Sequence, residues 1–156
     1  MHRRTLLFAP LLPIATSACV PGRWALVTPQ EAEYGNGAPP SANRGVLPGT
    51  RGLAASAGPA IVVEQPDVGK PLHAPLSFRV RFVPVTGTPI DPSSFRAIYG
   101  FLGLDITDRL LRHARLDSQT LTAENVDVPA GIHTVTIMIA DLLGRQASRT
   151  FQFTVV

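Results

Sequence analysis

From residue 60 onward apolar residues recur at every second position in short runs, divided by Pro, Gly and Asp. Leu76, Phe78, Val80 and Phe82 alternate with Ser77, Arg79 and Arg81. That is the period of a strand with one buried face, so the four apolar side chains are expected to point inward and the arginines into water. Ala60-Ile61-Val62-Val63 predicts a first short strand, broken by Gln65-Pro66-Asp67-Val68-Gly69. Pro84, Gly87, Pro89 and Pro92 predict a loop, followed by strands over 95–99 and 102–107 around Gly100. Residues 108–116 fit two descriptions: Leu110, Leu111, Ala114 and Leu116 suit a helical turn, and 113–116 suits a strand equally well. A strand over 120–126 and a turn at Pro129-Ala130-Gly131 come next. Val135, Ile137 and Ile139 alternate before Asp141-Leu142-Leu143-Gly144-Arg145, and Phe151, Phe153 and Val155 alternate after it. This predicts a β-hairpin in which Gly144 supplies the positive φ of a type I turn with a G1 bulge.

Short strands at even spacing, separated by turn residues, indicate an all-β sandwich or barrel. Residues 60–156 match the ~100 residues of an immunoglobulin-type sandwich. The run Pro129-Ala130-Gly131-Ile132-His133-Thr134-Val135-Thr136-Ile137, the Asp141 to Arg145 turn and Phe151-Gln152-Phe153-Thr154-Val155 resemble the closing half of bacterial Ig-like domains. The resemblance reaches back to about Ala60 and implies an Ig-like β-sandwich of about seven strands. His133 occupies the place of the corner tyrosine of antibody-type domains, and Val135 stands where their second cysteine would be. The resemblance therefore implies a structural, hydrogen-bonded His133.

The amino end reads differently. Met1-His2-Arg3-Arg4 precedes an apolar run over 5–15, too short for the ~20 residues a bilayer span needs, and small residues Thr16-Ser17-Ala18 lead into Cys19. Residues 1–18 have the layout of a signal peptide, and Arg3-Arg4 also admits twin-arginine export. The boundary resembles the lipobox of bacterial lipoproteins, with Thr16 at the usual leucine position. This resemblance implies a covalent lipid on Cys19, and Val20 after it implies the outer membrane, facing the periplasm, or the cell surface. Simple secretion with a cut after Ala18 is the alternative. Residues 19–59, rich in Pro, Gly, Ala and Ser, are expected to be a disordered, flexible tether holding the domain about 35 Å from the anchor by coil statistics. Trp24 and Tyr34 stand out in it, as incidental contacts or as a docking peptide.

Composition narrows the function. A single cysteine excludes an internal disulfide. The net charge of +3 belongs mostly to the precursor, since Arg3 and Arg4 leave with the signal, and basic and acidic residues balance from residue 60 onward. No field steers the domain toward phosphate, so nucleic acid is not an expected partner. A Gly-x-Ser-x-Gly elbow is missing, and His73, His113 and His133 lack zinc spacing, so no enzyme is expected. Asp91, Asp117 and Asp141 are expected in loops at one pole, where three carboxylates could bind calcium; each also sits in a turn whose amides it would cap. Arg109, Arg112, His113 and Arg115 form a basic cluster flanked by Asp105, Asp108 and Asp117, read as a solvated loop first and a lipid or glycan contact second. The expected function is a membrane-anchored, non-catalytic envelope module that binds a protein or glycan, with a structural spacer as the alternative.

Overall fold

The computed structural model describes residues 22–35 and 58–156. The chain is mostly β and forms two sheets. The first contains β2 (Ala60–Gln65), β3 (Leu76–Val83) and β7 (Thr120–Asp127), in that order and antiparallel. The far side of β7 is shared by two short strands. β6 (Ala114–Leu116) pairs with it at 121–123, and β1 (Trp24–Ala25) runs parallel to it at 126–127. The second sheet has the order β5-β4-β8-β9, from Leu104–Asp105, Ile90–Tyr99, Gly131–Asp141 and Gln146–Val155.

The two-residue period decides what is buried. In β3 the alternation is complete, with Leu76, Phe78, Val80 and Phe82 inward and each neighbour exposed. Phe95, Ala97 and Tyr99 of β4, the 135–139 series of β8 and Phe151, Phe153 and Val155 of β9 meet them in one continuous core. Phe78 meets Phe153 edge-on at 5.5 Å and Phe82 meets Phe95 at 6.3 Å, which locks the sheets together at two levels. In the β8–β9 hairpin, Gly144 has φ of 76° and its amide donates to the Asp141 carbonyl at 2.8 Å. That is a type I turn closed by a left-handed residue.

Four stretches depart from the sequence expectation. The first is 90–94, expected as loop but part of β4: Ile90 and Asp91 pair with Asp141 and Ala140, and an irregular register up to Arg96 accommodates Pro92. Between 102 and 107 strand pairing is confined to Leu104–Asp105, because side chains compete with the ladder. Asp105 Oδ1 accepts the Thr107 amide at 2.8 Å, and Thr107 Oγ1 accepts the Ala97 amide at 2.9 Å. The chain leaves the sheet there and starts helix α2 (Thr107–Leu111). Residues 108–116 adopt both descriptions in succession, since α2 is followed directly by β6. The largest correction concerns the stretch expected to be a tether: residues 22–35 within it belong to the fold. They supply β1 and helix α1 (Pro29–Gly35), and they bury Trp24, Leu26, Val27 and Ala32 in the common core. Burial of Trp24, Leu26 and Val27, at roughly 1.5–3 kcal/mol each, counters part of the entropy of ordering the segment, and the helix and pairing hydrogen bonds act in the same direction.

Candidate functional site

The arm at 22–35 brings charged, aromatic and glycine residues together on one surface among the described residues. Its helix starts with a capping box: the Thr28 hydroxyl accepts the Glu31 amide at 3.2 Å, and the Glu31 carboxylate accepts the Thr28 amide at 2.7 Å. Pro29 sits at the first helical position, where a missing N–H costs nothing. Glu31 also receives both terminal nitrogens of Arg109 on α2, at 2.7 and 2.9 Å, and the same guanidinium donates to the Leu26 carbonyl at 2.9 Å. This bidentate pairing lowers the Glu31 pKa to about 2, chiefly through the Arg109 hydrogen bond, and raises that of Arg109. At its far end the helix rests on the β4–β5 turn. A Cβ on Gly35 would lie 2.6 Å from the Tyr99 ring, and one on Gly100 would lie 2.8 Å from the Gly35 backbone, so the close approach needs glycine on both sides.

Trp24 anchors the near end. Its indole N–H donates to the Glu124 carbonyl at 2.9 Å, and its ring stacks on His113 with centroids 4.6 Å apart and planes 14° from parallel. The ring is buried and His113 lies exposed above it. Around them a polar concavity of about 540 Å³ is lined by Gly22, Arg115, Asp117, Thr122, Glu124 and Asn125. Arg115 pairs with Thr122, which pairs in turn with Arg79, so these side chains share the outward face of the first sheet. Arg109, expected in a basic cluster with Arg112, His113 and Arg115, is drawn away from them to hold the arm.

The remaining site residues of the sequence expectation fall as follows. Cys19 lies outside the described residues. The turns of Asp91, Asp117 and Asp141 lie at one end, since Asp91 and Asp141 flank the Ala140 pairing and Gln119 shares a groove with Ile90. Their carboxylates are engaged separately. Asp91 Oδ1 accepts from Ser93, Asp117 Oδ1 from the Gln119 and Thr120 amides, and Asp141 from the Leu143 and Arg145 amides and the Arg145 side chain. Among the described residues no three His, Cys, Asp or Glu side chains converge to hold a metal.

His133 is fully buried between the sheets, with Nε2 2.8 Å from the Pro129 carbonyl and Nδ1 2.7 Å from the Tyr99 hydroxyl. A carbonyl only accepts, so Nε2 carries the proton and Nδ1 accepts from Tyr99. Burial lowers the His133 pKa, against a smaller opposing effect of the Pro129 hydrogen bond. Burial also raises the Tyr99 hydroxyl to about 12, assisted by the Glu31 carboxylate. The unfolded chain therefore takes up a proton on this histidine at a pH where the folded chain does not. The stability contributed by His133 is complete above pH ~6.5 and is lost as pH falls from there toward the lowered folded value. The expected result is a melting temperature that declines between pH 7.5 and 5, with a shallower decline for His133→Gln.

Comparison of the chain with family models, with curated proteins and with solved structures finds no match in any of the three.

Proposed function

We propose that the chain is an exported lipoprotein, held to a membrane through Cys19, whose folded part is a non-catalytic Ig-like module that binds an envelope protein along the open edge of β9. The fold reading is supported by strand order. The sequence β2-β3-β7-β6 in one sheet and β4-β8-β9 in the other follows the ABED and CFG order of constant-type immunoglobulin sandwiches. His133, near the start of the strand that corresponds to F, links that strand to β4 and to the Pro129 turn.

The observation that carries the binding reading is the β9 edge. Over 148–152 its outer side has no strand partner among the described residues, whereas at its beginning the Gly58 backbone lies against the Gln146 carbonyl. At 154–156 the same side is satisfied, because Leu72 donates to the Thr154 carbonyl at 2.8 Å and accepts the Val156 amide at 2.9 Å. By the alternation of the ladder, the Ser148, Thr150 and Gln152 amides and carbonyls also face outward. An edge of this length is a template for an added strand. Leu142 and Leu143, 63 % and 71 % exposed at the hairpin tip, provide apolar anchorage at its beginning.

Ser148→Pro tests this. The Ser148 amide makes no bond to β8, so proline removes an edge donor without breaking the hairpin. Affinity capture from the native envelope should recover a stoichiometric partner with the natural chain and lose it with Ser148→Pro, at little change in melting temperature. Equal recovery with both, or none with either, overturns the reading; the latter outcome favours a spacer.

A further inference from the structure

Two short strands share the far side of β7, and a gap lies between them. β6 pairs at 121–123 and β1 at 126–127, so residues 124–125 have neither strand beside them. The same two residues form a β-bulge against β3: Phe78 pairs with Ala123 and Leu76 with Val126, so one residue of β3 faces two of β7. Asn125 takes up the bulge with φ of 56°. Strict alternation would send one of the two side chains into the core, whereas the bulge leaves Glu124 and Asn125 both exposed and lining the concavity beside Trp24. The aromatic stack closes the gap from either end, with Trp24 supplied by β1 and His113 by the residue before β6. The buried indole holds the bulge through its bond to the Glu124 carbonyl and backs one face of the imidazole. His113 is itself exposed, so its other face is a flat platform.

We infer that this concavity is a binding site for a neutral saccharide, with one sugar ring lying on the His113 platform and its hydroxyls met by Arg115, Glu124 and Asn125. Its volume of about 540 Å³ falls within the ~300–1,000 Å³ of small-ligand sites. Such sites are mostly apolar, and this one is lined by polar side chains, so its occupant must carry hydrogen-bonding groups around most of its rim. A sugar ring does so while keeping a flat C–H face for the imidazole. Each hydroxyl both donates and accepts, and the walls offer both roles: Arg115 donates, Glu124 accepts, and Asn125 does either. Among the described residues no hydrogen bond or ion pair engages these three side chains. Arg115 stands among Glu124 and Asp117, the latter with Oδ1 committed to its own turn amides. Charges of both signs therefore lie side by side, which suits hydroxyls better than a phosphate or an ammonium group. The site is on the sheet that does not contain β9, so it is separate from the edge proposed to bind a partner.

Saturation-transfer NMR on the full chain tests this, with maltotriose, cellotriose and triacetylchitotriose as probes. At least one of them should receive saturation, concentrated on the protons of one ring face, as stacking on His113 requires. His113→Ala should abolish that one-face pattern. Glu124→Ala should weaken the titrated affinity about tenfold or more, the scale of one lost charged hydrogen bond. The Glu124 side chain is exposed and the indole bond uses its backbone carbonyl, so Glu124→Ala should melt with the natural chain. Ser148→Pro, which removes a donor of the β9 edge, should bind the same probe with unchanged affinity, so the saccharide site and the partner edge stand or fall separately. Saturation of none of the three probes, saturation spread evenly over both ring faces, or unchanged affinity in Glu124→Ala overturns the inference.

Discussion

Trp24→Ala is expected to lower the melting temperature by about 10–20 °C. Truncating a buried tryptophan to alanine costs roughly 3–5 kcal/mol, through lost transfer free energy and the cavity left behind. Each kcal/mol corresponds to a few degrees in a domain of this size. Trp24 is 8 % exposed, and its loss also removes the indole bond to Glu124 and the stack on His113. The effect extends beyond the side chain, because β1 is only two residues long and is held by this ring and its pairing to β7. Leu26 and Val27 follow it into the core, so their burial weakens with it. Circular dichroism melts of the natural chain, Trp24→Ala and Glu33→Ala make the comparison, the last being an exposed position on α1 in the same arm. A tether that touched the domain incidentally would leave all three alike.

The arm also marks where sequence reasoning reached its limit. Strands with strict alternation were legible because period two assigns each side chain to a face, and β3, β8 and β9 bury the residues that the pattern selects. The β8–β9 turn was legible for a related reason, since Gly144 is the residue able to adopt its φ. The arm was missed because its flanks are rich in Pro, Gly, Ala and Ser, and the average over the whole stretch hid a local signal. That signal was present: Thr28-Pro29-Gln30-Glu31 spells a capping box with proline at the first helical position, and Trp24, Leu26 and Val27 precede it. What no local pattern contains is the partner of Glu31. Arg109 stands 78 residues away, and its place in an apparent basic cluster concealed that it faces inward to the arm. The three aspartates show the converse: a shared pole was inferable from strand order, whereas the engagement of each carboxylate with its own turn depends on side-chain rotamers.

Among those aspartates the expected effects are unequal, and Asp141→Ala carries the largest. Its side chain is fully buried, and Oδ1 accepts the Leu143 and Arg145 amides at 3.0 Å each while Oδ2 accepts Arg145 Nε at 2.6 Å. Burial pushes its pKa up, but the hydrogen bonds from the Arg145 amide and guanidinium and the Leu143 amide outweigh that effect and hold it below the usual carboxylate value. Removing the carboxylate leaves two turn amides and a part-buried cation without their acceptor, so Asp141→Ala is expected to lower the melting temperature more than Asp91→Ala or Asp117→Ala. Asp91→Ala, at an exposed bond to Ser93, should cost about 1 kcal/mol or less. Asp141→Asn separates the contributions, because its carbonyl still accepts the two amides while its NH₂ opposes the Arg145 donor. It should fall between the natural chain and Asp141→Ala. The pH dependence has a defined sign: a carboxylate with a lowered folded pKa contributes stability above its unfolded value near 3.8 and loses it as pH falls further. Acid melts of Asp141→Asn should therefore flatten in that range relative to the natural chain. Since this turn presents Leu142 and Leu143 and sets the register of β9, partner capture should weaken in Asp141→Ala together with stability. In Ser148→Pro capture should fail while stability is kept, and that divergence separates the scaffold of the edge from the edge itself.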